Sequence, residues 1–234
     1  MSQNEPPKMS VGSKIGVGVF TALGVISSLA ILAKTGRNKY SLNLKKMFMT
    51  PFKDTFLGKE EYKLGKVLAI GAGSCIGGYI GGLIFDKNKV NKESKKREIV
   101  SQYTNISLPI AFVAAGSKLG KFIYSKFPSN VINSNSKLTK LLSKTPEIAL
   151  PMLGLGVGMS IANKFANKIN QKIFKTNEVR PIEAGDLSAH LDDICLTAQY
   201  IAPKSNIVKS VSRIVPLALM VAGYEVGTRQ EGDY

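Results

Sequence analysis

The stretch Val67–Phe85, VLAIGAGSCIGGYIGGLIF, contains 19 residues and no charged side chain. As an α-helix it spans about 28 Å, close to the roughly 30 Å hydrocarbon core of a bilayer. Lys66 precedes the stretch and Asp86 follows it, so polar side chains stand where the two membrane surfaces would lie. The stretch therefore predicts a membrane-spanning helix.

Glycines recur every four residues through this stretch and share faces of the predicted helix. Gly73, Gly77 and Gly81 form one row, and Gly78 and Gly82 form a second row beside it. In lipid the backbone satisfies its own hydrogen bonds, and a glycine face lets a neighbouring helix approach closely. The pattern predicts an all-α fold, a multi-pass transmembrane helical bundle with small-residue stripes between its helices. The alternative is a buried glycine-rich helix of a water-soluble protein.

The composition is that of a basic protein with apolar segments. Of 234 residues, 32 are Lys or Arg and 16 are Asp or Glu, which gives a formal charge of +16. Lysines flank the apolar runs instead of forming one block, so a lipid bilayer with anionic headgroups is the expected partner and nucleic acid is not. Two cysteines, Cys75 and Cys195, do not make a disulfide framework.

A second uncharged run of 19 residues, 15–33, follows a polar tail, 1–14, that we expect to be disordered. Its ten Ile, Leu, Val and Phe residues favour insertion by about 3–6 kcal/mol. We interpret the run as an uncleaved anchor; the alternative is a signal peptide, whose apolar region is shorter, about 7–15 residues. The lysine-rich segment 34–66 is either a helix on the membrane surface or a solvated loop. The charged connector 86–98 reads as a solvated linker.

An internal repeat is predicted after residue 105. Three segments each place a proline, a glycine seven residues later and a small residue four further on. They are Pro109, Gly116 and Gly120; Pro151, Gly158 and Ala162; and Pro216, Gly223 and Gly227. Each set would form a close-contact notch on one helix face. The alternative is a chance likeness between membrane helices of similar composition.

The repeat segments give three weaker candidate spans, 106–124, 148–163 and 211–227. Lys118 and Glu225 each lie nine residues after a repeat proline, so packed helices could pair these opposite charges. Snorkelling of either side chain to the membrane surface and a transport role are the alternatives.

Basic amphipathic extensions continue beyond the third and fourth runs. In the second of these, isoleucines and a phenylalanine recur every four residues beside a row of lysines: Ile161, Phe165, Ile169 and Ile173, with Lys164, Lys168 and Lys172. This is typical of a helix leaving the bilayer along anionic headgroups, or of a soluble helix with one apolar stripe. Before the same run, Thr145 and Pro146 predict a helix start, with a capping hydroxyl followed by proline at the first helical position.

One predicted element stays out of the membrane, an amphipathic helix over 187–202. His190 is the only histidine, with Asp186 four residues before it and Asp193 three after it. A carboxylate–histidine–carboxylate set on one helix face could bind a metal or move a proton. Acids in the first turn also favour the helix dipole, so a structural role is the main interpretation.

Motifs of common enzymes and nucleotide-binding proteins are absent from the sequence. We therefore expect no catalysis, no cofactor and no metal, and predict a membrane scaffold or assembly subunit that associates through its glycine faces as a homo- or hetero-oligomer. The alternatives are a small transporter or channel with a path near Lys118 and Glu225, and a basic soluble helical protein that binds anionic surfaces. Lys and Arg counted on alternate sides of five spans give equal totals, so the positive-inside rule assigns no orientation.

Overall fold

The computed structural model describes residues 8–35, 64–132, 135–183, 186, 190 and 215–233. Its helices are α1 (Val11–Thr35), α2 (Leu64–Phe85), α3 (Asn91–Tyr124), α4 (Ser129–Ile132), α5 (Lys137–Phe174) and α6 (Val215–Thr228). Within these ranges no strand occurs, and the all-α prediction is confirmed. Most of segment 34–66, residues 211–214 and, except for His190, the predicted helix 187–202 lie outside the described residues.

Four helices, α1, α2, α3 and α5, are long and apolar enough to cross a membrane, and α6 is a shorter apolar helix. α1 begins at Val11, four residues before the uncharged run 15–33. The side chain of Ser10 accepts a hydrogen bond from the Ser13 amide at 3.2 Å, which caps the first turn and explains the earlier start.

α1 runs antiparallel to α2 and lies on its first glycine row. A Cβ atom added to Gly24 would overlap the carbonyl of Gly73, and one added to Gly77 would overlap the carbonyl of Phe20. Glycine at these positions lets the two backbones touch, which no larger residue would allow.

α6 covers the second glycine row and runs parallel to α2. Gly223 lies against Ser74 and Gly78, and Gly227 lies against Gly78, with no room for a side chain between the backbones. The Ser74 hydroxyl also donates to the carbonyl of Leu219 at 2.6 Å. α2 is therefore enclosed between α1 and α6, so helices of the same chain cover both of its glycine rows.

α3 and α5 are antiparallel, and the first two repeat segments meet in their interface. Gly116 lies against the backbone of Pro151, and Gly158 lies against the backbone of Pro109. The proline of each segment thus covers the glycine of the other. The third repeat segment, in α6, packs on α2 instead.

α5 begins at Lys137, so the predicted helix start at Pro146 is wrong. Ser136 caps the helix by accepting from the Thr139 amide at 3.4 Å, and the helix continues through Pro146. Gly120 of α3 lies against the backbone of Pro146 and Glu147 there. Thr145 and Pro146 are residue types that often begin a helix. Here they lie inside a helix that begins at Lys137 and is capped by Ser136.

α2, α5 and α6 all run in the same direction, because α3 is antiparallel to both α2 and α5. The tally of positive charges assumed that successive spans alternate, and α5 and α6 do not. The equal totals on the two sides therefore carry no information about orientation.

The interior of the bundle contains as many polar side chains as apolar ones. Among the described residues, 18 polar or charged side chains and 16 hydrophobic ones are buried, whereas 26 large hydrophobic side chains are exposed. The buried side chains of a water-soluble protein are mostly apolar, so the number of buried polar groups is the unusual feature.

Replacing Gly78 tests whether backbone contact holds α6 on α2. We expect Gly78→Ala to lower the free energy of unfolding by about 1–3 kcal/mol, since the new methyl group meets the backbone of Gly223, which cannot rotate away. Thermal unfolding of the purified protein in detergent measures the change.

Gly156→Ala is the matched control, because nothing lies within 4 Å of a Cβ at that position. It should be neutral or stabilising, as alanine favours a helix by up to about 1 kcal/mol over glycine. Equal effects of the two substitutions would contradict the close approach of α6.

Candidate functional site

The N-terminal half of α3 passes through the centre of the bundle and carries a buried polar face. Its buried polar residues are Asn91, Ser94, Lys95, Arg97, Glu98, Ser101, Gln102, Thr104 and Asn105. The prediction that 86–98 is a solvated linker is therefore wrong from Asn91 onward. These residues recur three and four apart, so they share a helix face that meets the polar groups of its neighbours.

Arg180 and Glu98 form the centre of this polar interior. Their side chains are 1% and 0% exposed. Arg180 Nε donates to Glu98 Oε2 at 2.9 Å, and Nη2 donates to Glu98 Oε1 at 2.8 Å. The same guanidinium donates to both carboxylate oxygens of Asp186, at 2.7 and 2.9 Å. Arg180 is thus held by two forked pairs, the strongest geometry available to an arginine.

Arg229, just after α6, binds the other side of Glu98. Its Nε donates to Glu98 Oε2 at 3.0 Å, and its two terminal nitrogens donate to the carboxylate of Glu183 at 2.8 and 3.0 Å. Glu98 therefore bridges two guanidinium groups that come from different parts of the chain.

Two asparagines of α5 place Arg180. Lys175 ends α5 in the left-handed conformation, with φ of 54°, which turns the chain back along the helix. Asn163 and Asn167 then donate to the carbonyl of Arg180 at 3.1 and 3.0 Å, and Asn167 accepts from its amide at 2.9 Å. These bonds fix the backbone so that the guanidinium reaches Glu98.

A second ion pair closes the end of the bundle. Lys95 Nζ donates to Asp86 at 2.8 Å and to the carbonyl of Arg229 at 2.6 Å, and Asn91 donates to Asp86 at 2.8 Å. Burial alone would raise the pKa of Asp86, but hydrogen bonds from Lys95, from the Asn88 amide and from Asn91, with the Lys95 charge, leave it below its ordinary value.

We name Glu98, Arg180, Glu183, Asp186, Glu225 and Arg229 the Arg180 cluster. It contains four carboxylates and two guanidinium groups. Gln102 also belongs to this region, because its side-chain nitrogen donates to Glu225 and, at 2.8 Å, to Glu98. Acidic groups therefore outnumber basic ones by two within the cluster.

A half-open cavity of about 200 Å³ adjoins the cluster. It is lined by Asn105, Met159, Ser160, Asn163, Ile182, Asp186 and His190. Asp186 and His190, singled out from the sequence, are 3% and 5% exposed and share this cavity. The Asp186 carboxylate pairs with Arg180 at 2.7 Å. Asp193 lies outside the described residues.

The structure does not bring Lys118 and Glu225 together. The Glu225 carboxylate lies beside Gln102 and 3.8 Å from Arg180 Nη2. Lys118 is 16 residues beyond Gln102 on α3, about 24 Å along the helix, and its side chain is exposed. Equivalent positions in the repeat segments do not lie at the same height in the bundle.

Comparison with known protein families, characterised proteins and solved structures finds no match to this chain. Inferences about function therefore depend on the geometry of the Arg180 cluster. Its ions are engaged with one another across α3, α6 and the segment after α5, which is the arrangement of a structural clamp. Within the described residues, no three His, Cys, Asp or Glu side chains are grouped to hold a metal.

Removing the charge of Arg180 tests the clamp. We expect Arg180→Gln to lower the free energy of unfolding by about 3–5 kcal/mol, because it leaves the buried Glu98 and Asp186 without their main partner. Unfolding in detergent followed by circular dichroism measures the loss. Lys96→Gln is the control: it breaks the exposed pair with Glu93 and should cost less than about 1 kcal/mol. Similar losses of unfolding free energy for the two variants would contradict the structural role of the Arg180 cluster.

The Asp86–Lys95 pair predicts a specific pH dependence. The pKa of Asp86 is lowered by folding, so its contribution to stability is present above its unfolded pKa of about 3.9 and is lost as pH falls through the lower folded value. We expect Asp86→Asn to be less stable than the parent at pH 7 and the difference to narrow below about pH 4. Thermal unfolding of both proteins from pH 7 to pH 3 measures this difference in stability. A difference that stays constant over this pH range would contradict the prediction.

Proposed function

We propose that this chain is an integral membrane protein with a non-catalytic role as a scaffold or assembly subunit. The observation that carries the proposal is the side-chain distribution, with 18 polar or charged side chains buried beside 16 hydrophobic ones and 26 large hydrophobic side chains exposed. In water, exposed apolar faces and buried charges both cost free energy. In lipid, the exposed apolar faces are favourable, and charges at membrane depth pair with one another in the bundle interior.

The exposed apolar side chains follow the helices that are long enough to span. On α1, Ile15 is 64% exposed, Val19 is 54% and Leu23 is 50%. On α2, Ile76 is 55% and Ile84 is 56% exposed. Burying a large aliphatic side chain is worth about 1.5–3 kcal/mol, so a bilayer around these faces would contribute strongly to stability.

The way the buried charges are used supports the scaffold proposal. Glu98, Arg180 and Arg229 connect α3, the segment after α5 and the end of α6, and the buried ion pairs leave none of these three free to act on a substrate. Such a network fixes one arrangement of helices. A rigid bundle that displays apolar and basic surfaces suits a protein that holds others in place.

Partners of this scaffold would have to use surfaces other than the α2 glycine rows. Gly73, Gly77 and Gly81 face α1, and Gly78 and Gly82 face α6. Oligomerisation through these rows would require a helix of the same chain to be displaced. α1 leaves an exposed apolar face, which includes Ile15, Val19 and Leu23, for another membrane helix.

A transport role is the second candidate, favoured by the cavity beside the acidic surplus of the Arg180 cluster. Solute flux through vesicles that contain the purified chain separates the two roles. Flux that Glu225→Gln abolishes would favour transport, whereas a tight vesicle and a stable complex in native gels would favour a scaffold.

Alkaline carbonate extraction tests the membrane location. We expect the full-length chain to remain in the membrane pellet at alkaline pH, because four apolar helices hold it in the bilayer. A surface-bound basic protein would be released, since its attachment depends on charge. A monomer stable in buffer without detergent would overturn the proposal and favour a soluble protein that binds anionic surfaces.

A further inference from the structure

Contacts between α2 and α3 set a common height scale along the bundle. Lys95 lies beside Gly82 and Ile106 lies beside Gly71, so residues 95–106 of α3 stand at the height of residues 71–82 of α2. All of those α2 residues belong to its uncharged run, Val67–Phe85. A bilayer that α2 crosses therefore surrounds this height.

Contacts between α3 and α5 extend the scale to α5. Asn170 donates to the carbonyl of Arg97 at 3.1 Å, and Gly158 lies against Pro109. On this scale the uncharged run of α2 is level with about residues 157–175 of α5. The uncharged run of α5 itself covers residues 148–163. The two uncharged runs share about seven residues, about 10 Å of helix.

Three exposed lysines, Lys164, Lys168 and Lys172, occupy the part of α5 where the runs do not overlap. We name them the lysine face. Lys172 is level with Gly82, near the end of the α2 run, where a long side chain reaches the membrane surface. Lys164 is level with Ser74, about 16 Å inside that end, and its four-carbon stem bridges only part of this depth.

An ammonium group placed in hydrocarbon at the helix centre costs on the order of 2.5–3.5 kcal/mol on insertion scales. A negatively charged group beside the lysine face would remove that cost. Ile161 and Phe165, 37% and 51% exposed, alternate with the lysines and suit acyl chains better than a polar protein surface. The face also continues to the exposed Lys175 at the end of α5, so headgroups can reach it from the membrane surface.

We propose that the lysine face binds the phosphate groups of anionic phospholipids and draws the headgroup layer about 15 Å into the bilayer beside α5. The protein would then thin the membrane on one side only. This inference rests on the membrane location proposed above and adds a lipid-binding site and a membrane-shaping activity to it.

Paired cysteine labelling tests the proposal. Lys164→Cys and Ile76→Cys are made separately in the full chain with Cys75→Ser and Cys195→Ser. Both positions are exposed and stand at nearly the same height, on α5 and α2 respectively. The purified variants are placed in vesicles of phosphatidylcholine alone or mixed with an equal part of phosphatidylglycerol, and labelled with a membrane-impermeant maleimide.

We expect Lys164→Cys to be labelled at least about tenfold faster than Ile76→Cys in the anionic vesicles, because water follows the headgroups. The advantage should shrink in phosphatidylcholine alone. Adding Lys168→Gln and Lys172→Gln should remove it, whereas Lys87→Gln and Lys89→Gln, which delete the same charge from the connector after α2, should leave it unchanged.

Three results would overturn the proposal. Equal and slow labelling of the two positions means that a second copy or lipid tails cover the lysine face. Fast labelling of Lys164→Cys that ignores phosphatidylglycerol means a water-filled opening instead of bound lipid. Fast labelling of both positions means that α2 does not lie in the bilayer, so the proposed membrane location fails together with the lipid site.

Discussion

The bidentate contact between Arg180 and Glu98 is the interaction on which the polar interior depends. Glu98 is fully enclosed, and an isolated carboxylate there would cost several kilocalories per mole or take up a proton. Arg180 and Arg229 together make the charged form tolerable. Everything that positions these two guanidinium groups, from the turn at Lys175 to the course of α6, is coupled to that one carboxylate.

The close backbone contacts make this polar interior compact. α2 touches α1 on one side and α6 on the other, both through glycine, and α3 touches α5 where Gly116 and Gly158 meet the facing prolines. Short distances between helix axes bring side chains of modest length, such as Asn170 and Glu98, within hydrogen-bonding reach of residues far away in sequence. The small residues at the helix contacts therefore make the buried polar network possible.

The sequence indicated the helical elements well, because uncharged runs and glycine periodicity are local properties. α2 is the clearest example, since its length and its glycine rows follow from one short segment. The Arg180 cluster was missed because its members are brought together only by tertiary structure. Glu98 sits in a lysine-rich segment that resembles a linker. The spacing of Asn91, Ser94, Glu98 and Asn105 is a local sign of a polar helix face, and the linker prediction did not use it. Lys118 and Glu225 occupy equivalent positions in two of the repeat segments. Whether they touch depends on the direction and height of their helices, which are not local properties of the sequence.

The long sequence separation within the cluster has a consequence for biosynthesis. Glu98 lies 82 residues before Arg180 and 131 residues before Arg229. At a synthesis rate of about 5–20 residues per second, the ribosome needs on the order of ten seconds to deliver the last partner after the first. During that interval Glu98 lacks one or both of its arginine partners, so α3 reaches its final place in the bundle only after Arg229 has been made.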